Sequence, residues 1–284
     1  MRTRAFRLLP TALLLALFSL FGLFGAQVLA DPSSTTTSSG NWSGYVVGTT
    51  LATTPQQNSI DYVSGNWIVP TVTPTAESRY SSSWVGIDGY KSSTVEQIGT
   101  GSDSGSGTTD YYAWWEMFPG ASHILSLTIL PGDQMSGLVQ WITSGINQNK
   151  FQLTLTDITS NHKFTTFEAP PAGYLRNTAE WIFEAPSIGS TIQPLSHFTS
   201  EPFTDAQVSI NGVVGNIDNA AWVNDRVIML DPQGGTAYPA GLTDTTSTTS
   251  NFTVYPNAPE PATLLLVGTG VLGAVGWLRR RTVR

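Results

Sequence analysis

In "RNTAEWIFEAP" (residues 176–186) an apolar run carries two glutamates. Side chains alternate across a strand, so Ala179, Trp181 and Phe183 share one face and Thr178, Glu180, Ile182 and Glu184 the other. A glutamate on a rigid strand is either part of a solvated outer face or a group set to take and give protons. Other runs offer companions. In "SSSWVGIDGY", Trp84, Asp88 and Tyr90 share a face, while Val85 and Ile87 face the core. In "YYAWWEMFPG", Tyr112, Trp114, Glu116 and Phe118 share one; in "TVEQIGTG", Val95 and Gln97 point together and Glu96 and Ile98 away. Aromatics interleaved with carboxylates suit grooves for extended polymers, peptide or sugar. A carboxylate base beside an amide donor suits attack of water on a carbonyl. Two carboxylates such as Glu116 and Glu180, if about 5 Å apart, would instead suit a retaining glycosidase.

The elements that must position these groups are strands. Runs of period two recur ("YVSGNWIVPTV", "SHILSLTILPGD", "MSGLVQWITS", "KFQLTLTDIT", "RVIMLDP"), separated by turn-formers, and no stretch shows a helical stripe. The expectation is one all-β domain over 41–242, a sandwich of two antiparallel sheets. Residues 31–40 ("DPSSTTTSSG") and 243–258 ("TDTTSTTSNFTVYPNA") read as Ser/Thr-rich spacers.

Both ends read as addresses. Residues 1–30 place Arg2, Arg4 and Arg7 before a long apolar run and Val28-Leu29-Ala30, the layout of a secretory signal peptide. At the other end, apolar residues 262–278 precede Arg279, Arg280 and Arg281. They predict a short transmembrane helix with its basic end in the cytoplasm and everything upstream outside. Between Asp31 and Ala258 six basic residues face 19 acidic ones, a net −13 against −7 for the whole chain. Such a domain repels nucleic acid. The chain has no cysteine, which excludes disulfides and thiolate chemistry.

Taken together, "NWSGYVV", "VSGNWIVPTV", "SSSWVGIDGY", a Gln before Gly, "YYAWWEMFP" and "TAEWIFE" resemble, in order, the glutamic peptidases of the G1 type, the eqolisins, over about residues 41–232. The resemblance implies a sandwich related in shape to legume lectins and some glucanases, of concanavalin A type. It also implies an acid endopeptidase acting on polypeptides without metal or cofactor, here expected as a monomer. Carried over, the catalytic glutamate falls on Glu180 in "AEWIFE" and the glutamine on Gln97. Trp42, Trp84, Asp88 and Glu116 match positions that line or support the site, and Glu184 reads as supporting or solvated. Ionised Glu180 would take a proton from water while Gln97 stabilises the oxyanion. A carboxylate base with an unperturbed value of about 4.3 places the optimum in acid. Phe118 stands where the family often has tyrosine, and only a short segment precedes Asn41, where fungal members carry long propeptides. The ending Pro259-Glu260-Pro261, apolar helix and basic tail resembles the PEP-CTERM sorting tail of Gram-negative bacteria, which an exosortase-type enzyme recognises and removes.

Competing chemistries find less support. There is no HExxH and no GxSxG, and His123, His162 and His197 lack ligand-like spacing. "DSG" at 103–105 lies in a loop-like context, without the apolar residues an aspartic peptidase needs. A lectin-like module or glycosidase on the same fold stays open as the alternative.

Overall fold

A computed structural model describes residues 34–256, all strands, turns and bends; among these residues there is no helix. The leader at 1–30 and the expected membrane helix at 262–278 lie outside the described residues.

Two sheets form the body. The first runs β1 (Ser34–Ser39), β16 (Val223–Leu230), β2 (Trp42–Gly48), β11 (Thr178–Glu184), β4 (Ser82–Ile87), β5 (Val95–Gly105), β6 (Thr108–Phe118) and β7 (His123–Thr128). All its pairings are antiparallel except β1 with β16, which is parallel. The second runs β10 (His162–Glu168), β9 (Phe151–Asp157), β8 (Gln134–Trp141), β3 (Ile60–Ile68), β14 (Glu201–Ile210) and β19 (Thr249–Tyr255). Short β15 (Val213–Gly215) and β18 (Thr243–Thr246) extend it, and β12 (Ser187–Ile188) pairs with β13 (Thr191–Ile192) apart from both. Strand β17 (Thr236–Pro239) pairs with β16 and with β19, closing the sandwich along one side.

Alternation along the strands makes the two faces of the first sheet different. Val85, Ile87, Ile98, Ala179, Trp181 and Phe183 join Trp67, Met135, Leu153 and Phe203 of the second sheet in the main core. Trp181 reaches across, donating its indole N–H to the Ser64 carbonyl at 2.8 Å, over Gly65, where a Cβ would lie 2.8 Å from its ring. On the opposite face a smaller apolar cluster of Val46, Leu51, Trp84, Val95, Trp114 and Ile182 forms the floor on which the site is built.

Two expectations are corrected. Within the Ser/Thr-rich segments expected as spacers, Ser34–Ser39 form β1, Thr243–Thr246 form β18 and Thr249–Tyr255 form β19, all of which belong to the sheets. β1 is an edge strand whose side chains are mostly exposed, so its pairing rests on backbone hydrogen bonds that leave no apolar pattern. β19 does alternate: Phe252 and Val254 are buried, and Phe252 stacks on Phe203 at 4.8 Å.

Candidate active site

The cleft on the outer face of the first sheet, about 640 Å³, is walled by Trp42, Tyr90, Tyr112, Trp114 and Phe118, with Val95 and Ile124 between them. Glycines keep its floor low. A Cβ at Gly86 would lie 2.9 Å from the six-membered ring of Trp84, and one at Gly101 2.2 Å from the ring of Tyr112, so both aromatics lie flat on β4 and β5. Trp42 meets Trp84 edge to face at 5.1 Å.

Among the polar side chains that line it are Gln97, Glu116 and Glu184. Gln97 and Glu116 are cross-strand partners, and the Gln97 Nε2 donates to Glu116 Oε2 at 2.7 Å. An ionised carboxylate only accepts, so the amide nitrogen faces it and keeps a second N–H. Glu184 stands at the last position of β11, between Trp42 of β2 and Ser82 of β4. Its Oε2 accepts the Trp84 indole N–H at 2.8 Å and its Oε1 the Asn41 side-chain N–H at 2.9 Å. Burial lifts Glu184 to about 7; donors from Trp84, Trp42 and Asn41 oppose the rise, and the charge of Glu116 adds to it. Burial also raises Glu116, against the Gln97 hydrogen bond and the charge of His123. A carboxylate base, an amide donor and a second carboxyl in one aromatic cleft can activate water and stabilise an oxyanion.

A profile of the Peptidase A4 family matches residues 40–255. The chain belongs to that family. Aspergillopepsin-2 of Aspergillus niger is 29% identical over 183 residues, covering 63% of this chain and 60% of that protein. The chain thus spans three fifths of that relative's length. Scytalido-glutamic peptidase with a peptide-based transition state analog superposes with a TM-score of 0.58 at 24% identity, over 77% of this chain and 98% of that one. Aspergilloglutamic peptidase from Aspergillus niger does so at 0.52 and 25%, over 63% and 99%. Residues 257–281 match the PEP-CTERM protein-sorting motif.

For this Peptidase A4 chain, the structure brings Gln97, Trp42, Trp84 and Glu116 together, but not Glu180 or Asp88. Glu180 lies in the same cross-strand row as Gln97, with Gly86 between them, about two strand spacings or 10 Å away. The ring of Trp84 covers Gly86, and Glu180 has no exposed surface. Burial holds its carboxyl well above the ordinary range; Thr178 and the Tyr90 backbone oppose this, and the charges of Asp88 and Glu96 add to it. Glu180 is therefore a buried group that does not reach the cleft, and the glutamate that does is Glu184. Asp88 is fully buried just past β4, with φ 70°. Its Oδ2 accepts the backbone N–H of Leu175 at 2.7 Å and of Arg176 at 2.8 Å, and its Oδ1 that of Asn177 at 2.9 Å. It fixes the segment leading into β11. Nothing in the sequence marks Asn41 as a site residue, because its contact with Glu184 joins residues 143 positions apart.

Proposed function

We propose that the protein is an endopeptidase whose base is Glu184 and whose oxyanion donor is Gln97. What supports this reading is the meeting of Glu184, held by an indole and an amide N–H, with Gln97 in one cleft. Ionised Glu184 takes a proton from water as the water oxygen attacks the scissile carbonyl. The second N–H of Gln97 stabilises the tetrahedral oxyanion. Protonated Glu184 then delivers its proton to the leaving nitrogen as the C–N bond breaks, and the carboxylate is restored. Trp42, Trp114 and Phe118 hold the extended substrate. Phe118 offers no hydroxyl, so oxyanion stabilisation rests on Gln97 alone among the groups named.

Glu184 must be ionised to act, and burial lifts it to about 7, so its protonation sets the acid limb of kcat/KM; the alkaline limit is the loss of a fold that keeps other carboxyls neutral. The PEP-CTERM match supports export in a Gram-negative bacterium, with an exosortase-type enzyme acting on the tail. The kinship with lectin-like sandwiches and the monomeric state are part of the same proposal.

The test is cleavage of an unfolded protein near pH 4 and at pH 7, with an inhibitor of pepsin-type peptidases present. Wild type is compared with Glu184→Gln and Glu180→Gln. Glu184→Gln should lose 10² to 10⁴-fold, the range of general acid–base catalysis, roughly. Folded Glu180→Gln should keep most of its activity. An active Glu184→Gln sinks the assignment; a folded wild type that cleaves nothing sinks the peptidase, leaving glycan hydrolysis by Glu116 and Glu184 to be tried.

A further inference from the structure

We infer that Asn41, delivered by the N-terminal strand β1, is a positioning residue for the Glu184 base, so the first residues of the folded domain are part of the active site. This rests on the assignment of Glu184 above. Asn41 lies in the step between β1 and β2 and lines the cleft. Its Nδ2 donates to Glu184 Oε1 while Trp84 of β4 donates to Oε2, so two donors from separate parts of the chain fix the carboxylate in place and in rotation. The Asn41 amide is itself held: Ser39 Oγ donates to its Oδ1 at 3.2 Å and accepts the backbone N–H groups of Asn41 at 3.2 Å and Trp42 at 3.1 Å. The Asn41 carbonyl accepts the N–H of Ala185, the residue after the base, at 2.9 Å.

Strand β1 buries almost nothing, so core formation does not explain why it docks. Its attachment is specific nonetheless. It pairs with β16 over six residues, and the buried Asp225 accepts the hydroxyls of Thr35, Thr37 and Tyr90. Tyr90 is a wall of the cleft, so one carboxylate ties the N-terminal strand to the site it completes.

A donor to an ionised carboxylate stabilises that form, by roughly 1.5–3 kcal/mol, equivalent to about one to two pH units. The charged group set against Glu184 is Glu116 of β6; β2 and β4 present Trp42, Ser82 and Trp84, and the phenols of the cleft are Tyr90 and Tyr112. With these unchanged, Asn41→Ala should move the acid limb of kcat/KM upward by about one to two pH units. At pH 4 kcat/KM should fall about tenfold or more, chiefly through kcat. Asn41→Ser, which keeps a donor, should recover part of the shift. Ser39→Ala, which leaves the amide but frees its rotation, should show a smaller shift in the same direction. Thermal unfolding of each variant separates this from a purely structural role, which would lower Tm and leave the limb in place. An unmoved limb in folded Asn41→Ala and Ser39→Ala, with Glu184→Gln inactive, overturns the inference. An active Glu184→Gln overturns the base assignment, and this inference with it.

Discussion

Glu180 and Glu184 occupy the same strand and the same face, four residues apart, yet one is fully buried and the other stands at the cleft. Alternation reports the face of a side chain and nothing about how far along the strand a cleft opens. That depends on register: Glu184 meets Trp42 and Ser82, whereas Glu180 meets Val46 and Gly86. Gln97, Glu116 and the aromatic walls were legible because each lies on a run whose two faces differ sharply. Asn41 is not, since it meets Glu184 through the register of β2 against β11, which the sequence leaves open. Gln97 carries the prediction at this scale. Its amide donates one N–H to Glu116 and keeps a second for the oxyanion, so Gln97→Ala should lower kcat by about 10² to 10³-fold with a small change in KM. Steady-state kinetics on a short peptide at pH 4 would check this; a loss confined to KM would reassign Gln97 to substrate binding.

The elements read most easily were those with one apolar face, such as β4, β6, β8 and β11. Strands β1 and β19, which the sequence shows as Ser/Thr-rich segments, lack so plain an apolar face for different reasons. β1 has no buried face, being an edge strand held by its backbone and by Asp225. In β19 a single alternating run, "NFTVY", was lost among threonines, though Thr itself suits strands. Phe252 shows that this last strand is structural: it stacks on Phe203, meets Tyr45 edge to face at 4.9 Å and is 3% exposed. Phe252→Ala should therefore cost about 3–5 kcal/mol in urea unfolding, the range for an emptied aromatic core site. A cost below about 1 kcal/mol would return residues 243–255 to the role of linker. Asp88 acts at the same scale. Asp88→Ala would leave three buried backbone N–H groups without their acceptor and put alanine at φ 70°, loosening the start of β11 and lowering Tm well below wild type.

The whole molecule joins an acidic surface to an interior that holds neutral carboxyls. Glu96 and Glu201 have no exposed surface; burial pushes Glu96 up to about 9, with Asp88 adding, and Glu201 up to about 8 against a hydrogen bond from Ser83. Both folded values exceed the unfolded value of 4.5, so between these limits the native chain binds more protons than the unfolded one. The stability they contribute is fully present below about pH 4.5 and is lost as pH rises towards 8 and 9. Repulsion within a domain of net charge −13 at neutral pH acts in the same direction. The Tm should accordingly fall from pH 4 to pH 8, an effect of the interior and the surface that needs no titration in the cleft. Glu96→Gln isolates the interior from the surface, since it removes one buried titration and only one formal charge. Near pH 4 the variant should match wild type. Above about pH 5 it should lack a slope of about 1.4 kcal/mol per pH unit and become the more stable protein by pH 8. Urea unfolding at pH 4, 6 and 8 reads both effects. Parallel curves for variant and wild type would show that Glu96 ionises inside the fold without cost, leaving surface repulsion as the cause of any alkaline weakness.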